Sequence, residues 1–531
     1  MKRLLISASF LLVLAGSFSS CKKTIEGDYL NPELTTTGDL SKLLSGMYLN
    51  KRIHPSYWDY TTFLLPTLGA YSQLSVNAPA TQEYVPSMTY NQNRWDDYYS
   101  GSVPSSGSSY DYNYNGPGIM STYREMQTTY AALSATEQAK QYVYLACAQV
   151  VLADQTAQMV DLWGDIPFSQ AGSLNTSSRS VSYAKFDDAA GLYDTLIANL
   201  KTLNTFFDTV SLSTEVSSNL QKQDILLGGS LTLWRRYVNS LRFRLLMRIS
   251  YQNTSEAQTE VTAMLADPTT YPMITDNTMN VTLKESPTTL KSDLLSAFTA
   301  NPYAPAYLLD TLMAANNDPR TAVLWDSVRG QAYHGFPTNG TVSDYDNGGW
   351  ATFDSATFMY NYNVPGVLFT AAEVSFLTAE ANERWGAGST SAATAYANGI
   401  NQSVAFYYGI NQSKILSAGT WASLASPSQA SIDAYIAGSN IAYSGTQAHK
   451  LALIGTQNWL NFFILQSGQA WAELRRTKYP ALTFPTASYG DAPQPPTRLL
   501  YPTTESEYNA SNYATVSSKD TRTTKIFWDV R

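Results

Sequence analysis

The residues able to do covalent or metal chemistry are few. Histidine occurs three times, at His54, His334 and His449, and cysteine twice, at Cys21 and Cys147. A zinc site needs several His, Cys or carboxylate ligands at short recurring spacings, and a Cys-His nucleophile needs both residues within reach. Neither a His-x-x-x-His pair nor a Gly-x-Ser-x-Gly elbow is present, and Gly116-Pro117-Gly118 lacks the third glycine of a phosphate-cradling loop. Asp344, Asp346, Asn347 and Gly348 hint at a calcium loop, but Gly348 takes its fifth position and Ser355 its twelfth, where ligating side chains are required. An Asp/Asn/Gly turn accounts for them. Glycoside hydrolysis needs two carboxyl groups flanking a sugar bond. Asp96 and Asp97 beside Trp95 are the obvious pair, yet adjacent residues of a helix do not face each other. No catalytic residue, metal or cofactor is expected.

Cys21 points to a different chemistry. Met1-Lys2-Arg3 is a short basic leader, Leu4 to Phe18 is almost wholly apolar or small, and Ser19-Ser20 precede the cysteine. That layout is a secretory signal, too short for a stable membrane span. Cleavage before Cys21 would leave residues 1–20 as a lipoprotein signal peptide, with acyl chains on the Cys21 sulfur and new amino terminus. Phe18 stands where a lipobox usually has leucine. Cys147 falls in a helical pattern and reads as a buried free thiol rather than a disulfide partner.

The elements that must position any site are mostly helices. Val143, Ala146, Val150, Ala153, Ala157 and Val160 recur at three- and four-residue steps from Thr136 to Trp163. Similar patterns run from Lys185 to Leu203 and over 231–250, with further helices expected at 370–386, 391–407, 428–438 and 447–475. Short connections and small-residue faces suggest a scaffold of stacked helix pairs, although no clean 34-residue repeat is legible. Two long stretches, 78–118 and 331–366, are rich in Tyr, Gly, Ser and Asn. Loops of that length are functional or disordered, and their aromatics argue for order. Tyrosine is in excess, 37 against 19 Phe and 11 Trp, which suggests an amphipathic surface. Loss of Lys2 and Arg3 with the leader takes the net charge from −8 to −10, and no Lys/Arg cluster provides a nucleic-acid footprint.

Seven stretches, in order, resemble the SusD/RagB-like outer-membrane nutrient-binding lipoproteins, and among them the second SusD-like group. They are NPELTTTGDL at 31–40, DLWGDIPFSQA at 161–171, DILLGGSLTLWRRYVNSLRFRLLMRIS at 224–250, NNDPR at 316–320, FLTAEANERWG at 376–386, IGTQNWLNFFILQSGQAWAELRRTKYP at 454–480 and RLLYPTTESEYNASNY at 498–513. Ser230 stands where that group often has Asp. Physically these blocks read as scaffold. Gly164 can end the long helix with a positive φ, and Pro167 prevents its continuation. Asn239, Ser240, Arg242, Arg244 and Arg248 can satisfy buried polar groups, and Glu380 and Glu473 read as their buried partners.

The resemblance implies a mainly α fold, a tetratricopeptide-like scaffold of helix pairs carrying long aromatic-rich loops, with residues 21–531 as one SusD-like domain. It implies a cell-surface lipoprotein, not an enzyme, held to the outer membrane by its lipid. Such a protein acts as the lid of a SusC-like TonB-dependent transporter and captures oligosaccharide, or in RagB-like members peptide, for nutrient uptake. A purely structural role in stabilising the transporter is the third reading. Sugars present flat C–H faces ringed by hydroxyls, so their sites need exposed aromatic planes flanked by amides and carboxylates. Two segments supply that mixture: QNRWDDYY at 92–99 and SDYDNGGWATF at 343–353. Trp350, Tyr345, Trp95 and Tyr98 are the expected platforms, Asn93, Asp346 and Asn347 their hydrogen-bonding partners, and Trp58 and Tyr84 reserves. A packing role competes at Trp95.

Overall fold

The computed structural model describes residues 38–79, 84–85, 87–101, 117–172, 183–283, 294–485 and 494–531. The leader and Cys21 lie outside the described residues, as do 102–116 of the first aromatic stretch. The fold is mainly α. Among the described residues its α-helices of eight residues or more are α1 (Leu40–Tyr48), α2 (Met88–Tyr99), α3 (Ile119–Ala131), α4 (Ala135–Trp163), α5 (Ala189–Thr209), α6 (Thr214–Gln223), α7 (Leu231–Arg248), α8 (Thr254–Ala266), α9 (Ala371–Trp385), α10 (Ala392–Gln412), α11 (Gln429–Ile436), α12 (Gln447–Phe462) and α13 (Ser467–Thr477), and a π-helix runs over Tyr60–Gly69. Many start where a short polar side chain can close a free amide. Ser134, Asp188, Ser230, Thr370, Ser391 and Thr446 each accept from the N–H three residues on. Ser230 thus caps α7.

Neighbouring helices pack as pairs: α3 on α4, α5 on α7, α9 on α10, and α12 on both α9 and α13. The apolar stripe of α4 faces inward as its spacing predicts. Cys147 is fully buried on it as a free thiol, and burial holds that thiol well above its ordinary range. Gly164 ends α4 at φ 81°, and Ile166–Pro167 then pairs antiparallel with Phe186–Asp187. Two further short ribbons, Val281–Leu283 with Gly366–Phe369 and Trp325–Asp326 with Thr352–Phe353, complete the strands of the described residues.

One expected helix is divided. The pattern over 447–475 reads as continuous, but α12 stops at Phe462 and α13 begins at Ser467. Phe463 takes φ 41° at the break and packs its ring against Trp325, Phe353, Phe358 and Tyr407. Burying that ring outweighs the cost of a left-handed non-glycine residue, which is of order 1–3 kcal/mol.

Charged side chains cross the helix interfaces in pairs. Arg244 of α7 contacts Glu373 of α9 through Nη2 at 2.6 Å and Asp154 of α4 through Nη1 at 3.0 Å. Arg248 Nη1 reaches Glu473 at 2.7 Å, and Arg476 bonds both Glu473 and Glu380. Glu380 and Glu473 are therefore buried partners of arginine. Arg320, in the NNDPR block, is buried on Asp318 at 2.6 Å and Gln457 at 2.7 Å.

Candidate ligand-binding site

The second aromatic stretch is ordered by backbone pairing around residues 302–306. Ala304 N donates to Ala351 O (2.9 Å), Ala351 N to His334 O (2.8 Å), and Phe336 N to Ala304 O (2.7 Å). Asp310 fixes one end of this arrangement: its Oδ1 accepts from Gly335 N at 2.7 Å and its Oδ2 lies 2.8 Å from His334 Nδ1. Thr341 and Asp344 form a reciprocal cap at the start of the short helix Val342–Asn347. Bonds from the Thr341 backbone and hydroxyl hold Asp344 below the usual carboxylate range. The Asp344–Gly348 turn is thus a capped helical turn. Gly348 closes it at φ 66°, a conformation that L side chains rarely adopt.

Four rings and an imidazole meet on this frame. Tyr303 lies 4.8 Å from Tyr345, edge to face, and Phe336 lies 5.5 Å from Tyr345 and 5.6 Å from Trp350. His334 leans on Trp350 at 5.1 Å. Phe336 is buried, while Tyr345 and Trp350 are half-buried and Asp346 and Asn347 exposed. The indole N–H of Trp350 donates back to Asp344 O at 2.8 Å, so the ring is held in place and still meets solvent. Burial pushes the Tyr345 hydroxyl up to about 12, which keeps it a donor at neutral pH.

A cleft adjoins this cluster and shares Phe336 with it. Gln73, Asn77 and Tyr84 line one side, Pro305, Pro337 and Thr338 the other, around about 430 Å³ of empty space that includes its open mouth. Tyr84 comes from the first aromatic stretch and Thr338 from the second, so residues of both meet here. Apolar rings, amides and a hydroxyl around an open cleft suit a ligand with alternating apolar and polar faces.

The expected residues from 92–99 lie elsewhere. Trp95 is 2 % exposed and Tyr98 is fully buried. Trp95 packs on Trp163, Tyr501 and Tyr99, and the Tyr98 hydroxyl bonds Thr156 at 2.7 Å. The inward face of α2 takes both into the core, so neither offers a plane to a ligand. Asn93 is on the exposed face of α2. Asp97 is buried and Asp96 half-buried with Gln92, so this pair does not face one gap. Trp58 is half-buried against Tyr57 and Tyr90. Tyr303, His334 and Phe336 were not among the residues expected at a ligand site. Aromatics in NPYAP and QAYHGF were the available signal.

Two carboxyl groups close the base of the aromatic loop. Asp326 Oδ2 accepts from Ser355 N at 2.9 Å and Asp354 Oδ1 from Thr357 N at 2.6 Å. Burial, then the neighbouring Asp326, push the Asp354 carboxyl up to about 7. A carboxyl raised in the folded state contributes stability that is present below its unfolded pKa and lost as pH rises through the folded one. The wild type should therefore lose stability relative to Asp354→Asn between about pH 4 and pH 7, by more than ~1.4 kcal/mol, the equivalent of one pK unit. Urea unfolding of both proteins at pH 4.5 and pH 8 checks this. A constant gap between them would show that the Asp354 carboxyl is not raised in the folded protein.

Among the described residues no three His, Cys, Asp or Glu side chains converge as a metal cluster, and no helix is long and apolar enough to cross a membrane. No curated protein matches the sequence. Solved structures do match the fold. A chitin-binding protein superposes with a TM-score of 0.71 at 23 % identity, over 92 % of this chain and 100 % of its own. A SusD homologue from Bacteroides fragilis gives 0.69 at 18 % identity, over 92 % and 99 %. A chitin-binding SusD homologue from Flavobacterium johnsoniae gives 0.67 at 20 %, over 93 % and 99 %. The profile of the second SusD-like family, described as starch-binding and associating with the outer membrane, matches residues 64–502. With that match running through the helical scaffold and the aromatic loop alike, the chain belongs to the SusD-like family.

Proposed function

We propose that this protein is a cell-surface glycan-binding lipoprotein for nutrient uptake, working as the lid of a SusC-like TonB-dependent transporter. The observation that carries the reading is the half-open Trp350–Tyr345 surface beside the Tyr84–Phe336 cleft, where aromatic planes stand next to amides and hydroxyls. Trp350, Tyr345, Asp346 and Asn347 form the site in this reading, with Tyr303, His334 and Tyr84 added. The chitin-binding proteins of the same fold support glycan cargo over peptide. Residues 1–20 serve as the lipoprotein signal and 21–531 as the SusD-like domain. Calorimetry with starch and chitin oligosaccharides, and with mixed peptides, tests the cargo. Binding of a peptide in place of every glycan would replace the reading with a RagB-like one. Binding of neither would leave the structural role.

Anchoring has its own test. One acyl chain holds a protein to a bilayer only marginally, and several make release slow. Cys21→Ala should move the protein from the membrane to the soluble fraction in cells lacking the transporter. Continued sedimentation with membrane would rule out the lipid anchor. Purification of the wild type in mild detergent should bring down a much larger barrel protein, because obligate interfaces of about 2,000 Å² or more survive such treatment.

A further inference from the structure

A second cavity lies between the C-terminal half of α4 and the first turn of α13, lined by scaffold rather than by the aromatic loop. It encloses about 690 Å³ of empty space including its mouth, and Arg52, Arg94, Gln155, Ser467, Gly468 and Gln469 are among its walls. Arg52 is 5 % exposed. It spends Nε on Gln155 Oε1 and Nη1 on Arg94 O, both at 3.0 Å, and its Nη2 has no partner. Among the described residues no carboxylate lies within salt-bridge distance of it. The hydroxyl of Ser467, 1 % exposed, is also unpartnered. Ser467 and Gly468 open α13, whose N-terminus has no side-chain cap. Gln469 Oε1 accepts from Arg248 Nη2 at 2.6 Å, so its remaining polar group is an amide donor.

Two buried wall groups, Arg52 Nη2 and Ser467 Oγ, are therefore without an acceptor. A buried guanidinium nitrogen without a partner is costly, and the free N–H groups of a helix start favour negative charge. Arg94 adds a second positive charge, held only at 3.8 and 3.9 Å by Asp59 and Asp97. Burial and Arg94 push the Arg52 guanidinium down to about 9, against the more distant pull of Asp97 and Asp154. Asp161 also lines the cavity, but its Oδ1 accepts from Tyr193 and Trp528 and its Oδ2 lies 3.3 Å from Arg248 Nε. That carboxylate already has partners of its own.

We propose that this cavity is a binding site for a small monovalent anion, a halide or a free carboxylate, with Arg52 Nη2, Ser467 Oγ and the first-turn N–H groups of α13 as its donors. The ion would tie the start of α13 to Arg52, which Gln155 of α4 holds in place, apart from the glycan site. Bromide is the probe. Crystals of the mature protein grown in sodium bromide should show an anomalous peak in the cavity beside Arg52 and Ser467. The melting temperature should rise saturably with bromide, and with acetate, over sodium gluconate of equal ionic strength. Ser467→Ala removes only the hydroxyl and should raise the half-saturating concentration about tenfold, the usual weight of a hydrogen bond to a charged group. Arg52→Gln should abolish the response if it folds; Ser467→Ala decides the matter if it does not. Water alone in the cavity, melting that follows ionic strength only, or an unchanged midpoint in Ser467→Ala would overturn the proposal.

Discussion

Arg244→Met is expected to destabilise the protein by about 3–5 kcal/mol, the usual cost of removing one partner from a buried ion pair. Arg244 is 3 % exposed and ties three helices together: it faces Glu373 of α9 and Asp154 of α4 from its place on α7. Its Nη2 also donates to Leu368 O at 2.9 Å, and its guanidinium lies 3.9 Å from the Phe369 ring centre. Glu373 has no second arginine in salt-bridge contact among the described residues, in contrast to Glu473, which meets both Arg248 and Arg476. Burial already raises the Glu373 carboxyl against the pull of Arg244. Without the guanidinium it rises further, and stability is then lost as pH increases. The gap between variant and wild type should be smallest near pH 4.5 and widen toward pH 7. Adding Glu373→Gln should recover part of the loss, because the uncompensated charge is gone. Chemical unfolding at the two pH values measures all three proteins. A loss below about 1 kcal/mol would mean that water reaches the pair and that it is not part of a dry interface.

Trp350→Ala should weaken glycan binding at least about thirty-fold, since truncating a central aromatic anchor costs ~2 kcal/mol or more and 1.4 kcal/mol is a decade. The loop should survive the change. Its backbone is held by the Ala304, His334, Phe336 and Ala351 pairing, none of which uses the indole. The half-buried ring gives up contact with His334 and Phe336 and one bond to Asp344 O, which should lower the melting temperature by only a few degrees. Calorimetry with the glycan that binds the wild type, beside a thermal melt, separates the two effects. Unchanged affinity would take Trp350 out of the site. A collapse in melting temperature would make it a packing residue.

Helix was legible in the sequence because the apolar stripes are long and regular. The stripe of α4 and the stop at Gly164 follow local rules, set by residues within a turn or two, and the caps that the structure shows at Ser230 and Thr370 obey rules of the same range. Buried partners for Glu380 and Glu473 were also readable, since a carboxylate on an apolar helix needs a cation wherever the chain finds one. The platforms divided at the point where local rules end. Trp95 and Tyr98 have the composition of a sugar site, yet the face of α2 that carries them turns inward onto Trp163, Tyr501 and Thr156, residues distant in sequence. Trp350 and Tyr345 stay half-open, with Tyr303, His334 and Phe336 as their ring neighbours. Burial of a ring depends on what packs over it, and spacing along one segment does not contain that information. The same reason hid the break at Phe463, which long-range aromatic neighbours impose on an otherwise helical pattern. It hid the meeting of Tyr84 with Thr338 as well. Helix type and cap positions were determined by the sequence alone, and which aromatic faces remain open to a ligand was decided only by the packing of distant segments.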